Sequence, residues 1–228
     1  MPYSARTYQI SQSLLYHLFN RGNGRSEIYH ETEDYYRFID ILRTYSEQRK
    51  LKIYHWVLMP NHYHLLLELE APKEISKVMA GVGRSYVHYH NRKYNSSGHL
   101  FQDRFKSQAV EKNLYLLSCA RYIERNPVEA HLTSSSEEYP YSSAAYYCLG
   151  EDDGLTKECP LFTTFGETPE TRRQNYREFL KEFKPEEDKL FMNMEKPRGS
   201  KEFIRRLIKE GSVFAPRNGR PKVEKVVA

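Results

Sequence analysis

Two histidines stand one residue apart in an otherwise apolar run, His62-Tyr63-His64 within NHYHLLLELE. Alternate side chains of a strand share a face, so an extended backbone points both imidazoles one way and Tyr63 the other. Paired imidazoles are half of a metal site, although strand histidines also occur as plain polar-face residues. A second pair is Tyr122 and Asn126 in ARYIERNPVEAHL, four residues apart, which a helix places on one face. Alone, that pair reads as a packing tyrosine and an asparagine at a helix end. Combined, His62, His64 and the Asn126 amide oxygen can hold a divalent ion such as Mg²⁺ or Mn²⁺ with positions left open for a phosphate. A phenol, with a pKa near ~10, is a weak nucleophile at neutral pH unless it is held in line and activated. Its attack on a phosphodiester gives a phosphotyrosine ester that keeps the bond energy for rejoining, so the constellation suits strand transfer better than hydrolysis. Tyr115, two helical turns before Tyr122 and on nearly the same face, is the rival nucleophile, with Cys119 instead of a ligand four residues on.

The elements that must position these groups can be read along the chain. Leu14 to Arg21 patterns as a strand closed by the Gly22-Asn23-Gly24 turn. Thr32 caps a helix over 33–50, with Tyr36, Ile39, Leu42 and Tyr45 at helical spacing. Residues 52–60 and 61–70 form an antiparallel hairpin with Pro60-Asn61 as its turn. A helix follows over 73–94, carrying Ile75, Val78, Met79, Val82, Tyr86 and Tyr89 on one face. Residues 100–110 pattern as a strand, and 113–126 as a helix ended by Pro127. Strand, helix, strand, strand, helix, strand, helix describes an α+β fold: an antiparallel sheet with helices packed on it. The expected division is a catalytic domain over 1–148 and a mostly helical unit over 149–228, with amphipathic helices at 169–190 and 199–210 and a basic, flexible tail.

Composition bounds the partners. The chain has 228 residues, 39% hydrophobic and 29% charged, a globular balance with room for a real core. A net charge of +5 permits a polyanionic partner without demanding one, and nineteen tyrosines suit base stacking as well as half-buried packing. Cys119, Cys148 and Cys159 have no CxxC or regular spacing and read as reduced thiols. No stretch approaches the ~20 apolar residues of a membrane span, and the N-terminus lacks a signal-peptide run. A soluble, cytoplasmic protein without a membrane partner is expected.

HWVLMPNHYHLLLE (55–68) and ARYIERNPVEAHL (120–132) together resemble the HUH single-strand transposases of the smallest bacterial insertion sequences, and most of all the REP-associated tyrosine transposase branch. YHLFNRGNGRSEIY (16–29) resembles the opening strand and turn of that family, and GHLFQDRFKSQAV (98–110) its fourth strand. The resemblance covers about residues 10 to 145. It implies a ferredoxin-like catalytic core, with His62 and His64 as the HUH metal ligands, Tyr122 as the catalytic tyrosine and Asn126 as the third ligand. It further implies a 5′-phosphotyrosine link with release of a 3′-OH, single-stranded hairpin DNA or palindromic repeats as substrate, and a homodimer in many members.

Several basic residues are candidate DNA contacts: Arg84, Arg92 and Lys93 among the tyrosines of the 73–94 helix, Arg104 and Lys106 alternating with Gln102 after Gly98, and Arg121 beside the catalytic tyrosine. Each set reads equally as a solvated face. Arg220, in the tail run Asn218-Gly219-Arg220-Pro221-Lys222, resembles a minor-groove arm. His55 and His99 are read as structural and Glu124 as a surface residue. Two other functions stay open: a non-catalytic DNA-binding protein on the same fold, and a metal-dependent hydrolase of small phosphoesters.

Overall fold

The computed structural model describes residues 15–70, 74–192, 194 and 197–209. Its sheet is built from β1 (Leu15–Arg21), β2 (Leu51–Met59), β3 (His62–Leu69) and β4 (Lys106–Ala109) in the order β2-β3-β1-β4, with every pairing antiparallel. Helix α1 (Thr32–Arg49) joins β1 to β2, and α2 (Ile75–Tyr94) joins β3 to β4. This is the expected ferredoxin-like α+β arrangement. β2 and β3 read as near-continuous apolar runs because both faces of the sheet are covered. Tyr63, Leu65, Leu67 and Leu69 pack with α1 and α2, whereas Leu66 and Val57 pack with α3 (Leu114–Glu129). On β3, then, the odd residues face α1 and α2. The even residues, His62 and His64 among them, face α3.

Local chemistry explains where elements begin and end, and where they depart from the sequence reading. α1 is capped by Glu31, not Thr32: the Glu31 and Asp34 side chains close a reciprocal box with each other's backbone N–H. Its buried stripe starts at Tyr35 and Phe38, leaving Tyr36 exposed. The expected strand over 100–110 shrinks to Lys106–Ala109, with Phe101 making a lone bridge to Gly22. Residues 102–104 bend off the edge, so Gln102, Arg104 and Lys106 do not share a strand face. Pro127 does not end α3. Lying in the last turn, it removes a single ladder bond, its ring is buried, and the helix runs on to Glu129.

After α4 (Ala144–Leu149), the expected 169–190 helix is two helices, α5 (Pro169–Lys181) and α6 (Pro185–Met192). Pro185 disfavours helical geometry before it, and Glu182 is extended. α7 (Lys201–Lys209) completes the described chain. This C-terminal segment shares the cores of the sheet: Tyr176, Leu180 and Phe191 join the α3 side, and Phe203 and Leu207 the α1–α2 side. It therefore has no separate core beginning after residue 148.

Both sheet edges are covered by the chain itself. Tyr141, Ser143 and Lys157 exchange backbone bonds with β2, and Arg198 pairs beyond β4 with Ala109 and Glu111.

Candidate active site

The strand registers bring the chemistry together. On the α3 face, Arg21 of β1 lies opposite His62 of β3, Phe19 opposite His64, and His17 opposite Leu66. Across β1's other side, Lys106 faces Phe19 and Gln108 faces His17. Side chains directly opposite on antiparallel strands share a face and touch. Tyr122 descends onto this row from α3, its ring edge-on to His64 at 5.4 Å between centroids and to His17 at 5.9 Å. The His62 and His64 rings are 5.3 Å apart and perpendicular. Asn126 Nδ2 donates to the Tyr122 carbonyl at 2.6 Å, and the Asn126 side chain also interacts with His62. The structure thus gathers His62, His64, Tyr122 and Asn126 as the sequence spacing predicts. Tyr115 has no ring contact with these imidazoles among the described residues and lies near Arg198 instead.

Each imidazole has one nitrogen already engaged. His62 Nδ1 donates to Asn61 Oδ1 at 2.6 Å, so the ring's lone pair is on Nε2, and the Asn126 side chain lies against the ring. His64 Nδ1 and His17 Nε2 share a proton at 2.8 Å, in stacked rings 5.0 Å apart. With that proton on His64 Nδ1, the His64 Nε2 lone pair is available to a cation; outer partners of this kind fix the tautomer of metal-binding histidines. Burial favours the neutral rings that ligation requires. It lowers His17 to about 3, and it lowers His62 to about 4 against the Asn126 interaction and with help from the Arg21 charge. His64 is held well below the ordinary imidazole range by burial and by its two histidine neighbours. Two neutral imidazoles and one amide oxygen fit a divalent ion that tolerates mixed nitrogen and oxygen ligands. Burial raises the Tyr122 phenol above its usual value, with Cys119 and Asp188 acting in the same direction. Phe191 of α6, 5.7 Å from its ring, walls one side.

His17, Asn61 and Arg21 are site residues that the sequence reading did not single out. His17, Phe19 and Arg21 alternate along β1, a period-two signal, but only the β1–β3 register shows which residues they meet.

The candidate DNA contacts divide. Arg84, Arg92, Arg104 and Lys106 are exposed, and Lys106 stands on the site face. Lys93 is corrected to a structural role: its ammonium pairs with Glu31, Glu33 and Asp34 and is bonded to the Tyr89 hydroxyl. Arg121 is corrected likewise. It is buried, bonded to Glu182 and to the Phe179 carbonyl, and stacked over the Phe179 ring at 4.3 Å. Glu124, read as a surface residue, is fully buried against His55. Arg220 lies outside the described residues. Cys119, Cys148 and Cys159 are free and buried, and no described helix is long and apolar enough to cross a membrane.

Comparison with known proteins places this geometry in a family. No curated protein matches the chain. Among solved structures, a REP-associated tyrosine transposase bound to a REP hairpin is similar, with a TM-score of 0.55 and 22% identity over 69% of this chain and 89% of that one. A Deinococcus radiodurans R1 protein crystallised as a candidate transposase matches less well, with a TM-score of 0.37 and 19% identity over 58% of this chain and 92% of that one. The family model for IS200-like transposases matches residues 10–126, just over half the chain, which takes in His62, His64, Tyr122 and Asn126, and the chain belongs to that family.

Proposed function

We propose that the protein cuts and rejoins single-stranded DNA at or near hairpins, in the manner of a REP-associated tyrosine transposase, with Tyr122 as nucleophile. One observation carries the reading: the Tyr122 ring stands edge-on to His64 while Asn126, one turn later, turns its amide to His62. In the reaction, Tyr122 Oη bonds to phosphorus and the bond to the 3′ oxygen breaks. The phenol proton leaves to water, and the departing oxygen takes one up as a 3′-OH. Religation reverses the step. A divalent cation, Mg²⁺ or Mn²⁺, would be held by His62, His64 and Asn126, and when bound supplies positive charge to the phosphate oxygens. The chain's own part is to keep both imidazoles neutral through burial, to fix their rings through Asn61 and His17, and to hold Tyr122 on the rigid α3. The likeness to a hairpin-bound transposase supports a hairpin substrate, and the exposed Arg84, Arg92, Arg104 and Lys106 supply cations for its backbone.

The test is incubation of the full chain with palindromic single-stranded hairpins and Mn²⁺, followed by denaturing electrophoresis. Wild type yields a covalent protein–DNA band and Tyr122→Phe yields none. A band that survives Tyr122→Phe and disappears in Tyr115→Phe reassigns the nucleophile. Tight hairpin binding without any band replaces the reading with a DNA-binding protein.

A further inference from the structure

Arg21 is a cation of the site face that pairs with no anion among the described residues. It ends β1 directly opposite His62, on the face that carries His64 and Tyr122, and its charge reaches the His62 ring. Among the described residues no carboxylate pairs with it. This contrasts with Lys93 and Arg121, whose charges are spent on Asp34 and Glu182. Among the described residues its guanidinium makes one hydrogen bond, from Nε to Gln102 Oε1 at 2.6 Å. Gln102 is held in turn, its backbone N–H donating to the Arg21 carbonyl at 3.0 Å while Asn23 N–H donates to the Leu100 carbonyl at 2.8 Å. The next residue must be glycine, since a Cβ at Gly22 would fall 2.0 Å from the Ser26 carbonyl oxygen. The bend at residues 100–104, which the sequence reads as plain strand, therefore brings Gln102 to the root of Arg21 and fixes its Nε. Among the described residues the terminal N–H groups of the fork have no hydrogen-bond partner. A guanidinium oriented by a neutral amide, with its remaining donors unengaged, is suited to receive a tetrahedral oxyanion.

We propose that Arg21 clamps the non-bridging oxygens of the scissile phosphate, with Gln102 as its positioning residue. This rests on the reading of the site as a single-strand transposase centre. It adds a role for a residue outside the ligand set and the nucleophile: Arg21 neutralises the charge that accumulates on the phosphoryl oxygens as Tyr122 attacks.

The experiment uses the full chain, Mn²⁺ and a single-stranded hairpin that wild type converts to the covalent adduct. The hairpin carries either a normal phosphate or an uncharged methylphosphonate at the cleavage position. On the phosphate, Arg21→Met slows adduct formation about a hundredfold, the loss typical of one oxyanion donor. On the methylphosphonate, wild type and Arg21→Met are indistinguishable, because the charge that Arg21 answers is gone. A role confined to folding would lower both substrates by the same factor, and that result overturns the inference, as does an unchanged rate on the phosphate. Mn²⁺ binding to Arg21→Met, followed by paramagnetic resonance, stays as in wild type; its loss means that Arg21 acts on the ligands and also refutes the clamp. Should Arg21→Met fail to fold, Arg21→Lys keeps the charge and stem without the fork, and shows the same phosphate-only loss to a lesser degree. Absence of any wild-type adduct removes the transposase reading itself and the clamp with it, an outcome distinct from a working wild type with an indifferent Arg21.

Discussion

Helix α3 turns Tyr122 and Asn126 toward His62 and His64 on one side and Glu124 toward His55 on another, and the two sides treat histidine in opposite ways. Around His62 and His64 there is burial without a carboxylate partner among the described residues, so the rings are driven toward the neutral form. Around His55, burial works against the charged ring but is outweighed by Glu124 and then Cys159, so its pKa rises to about 9. Glu124 accepts three hydrogen bonds there, from His55 Nδ1 at 2.9 Å, the Ser143 hydroxyl at 2.5 Å and the Tyr176 hydroxyl at 2.7 Å. One side holds uncommitted lone pairs, as a reactive site needs. The other engages both oxygens of Glu124 and thereby links α3, β2, α4's entry and α5. The side that carries Tyr122 is thus backed by a hydrogen-bonded network that helps set where α3 lies.

The sharpest way to break this contrast is to remove the anion from the closed side. Glu124→Ala strands a buried imidazolium and two hydroxyls, and should cost about 3–5 kcal/mol of unfolding free energy in urea titration. A loss below ~1 kcal/mol, the range of exposed pairs, would show that the network is not the anchor. The same pair predicts a pH signature. His55 has a folded pKa above its unfolded value of about 6.5, so its contribution is complete below that pH and is lost as pH rises through about 9. Stability at fixed temperature should therefore decline between these limits in wild type, and the decline should flatten in Glu124→Gln. An equal slope in both proteins would place the titration elsewhere.

The reactive side was far more legible from the sequence than the closed one, for a physical reason. His62 and His64 share a face by the two-residue period of a strand, and Tyr122 and Asn126 by the helical period, so each pair is set by local geometry. His55 meets Glu124 only because β2 carries a bulge at Tyr54: Ile53 pairs with Leu67 but His55 pairs with Leu66, which brings His55 onto the α3 face. Without the bulge, alternation would send it to the other side. His17 and Arg21 reach the site through inter-strand register, and Lys93 reaches Asp34 through the packing of α2 on α1. None of these couplings has a sequence spacing to read. The alternation of strands and helices, by contrast, was enough for the α+β class, because apolar periodicity is local, while the ferredoxin-like order came from the family resemblance. Element ends were misread where a side chain decided them, as Asp34 does for α1.

A smaller effect separates cations that hold the fold from cations that face solvent. Arg121 is buried between α3 and α5, stacked on Phe179 and paired with Glu182, which is itself mostly exposed. Replacing it as Arg121→Met keeps the stem's packing but removes the cation–π contact and a screened ion pair, together about 1–2 kcal/mol. Arg104→Ala and Lys106→Ala touch no such partner and should stay within about 0.5 kcal/mol of wild type. Hairpin binding should order them the other way. If Arg104 and Lys106 meet the DNA backbone, each substitution lowers the slope of log affinity against log salt by about 1, while Arg121→Met leaves the slope unchanged. Thermal unfolding and a salt titration of hairpin affinity on the same three proteins decide the matter. A lowered salt slope in Arg121→Met would mean that α5 moves aside to release that charge to DNA, and the division between an open and a closed side of α3 would have to be redrawn.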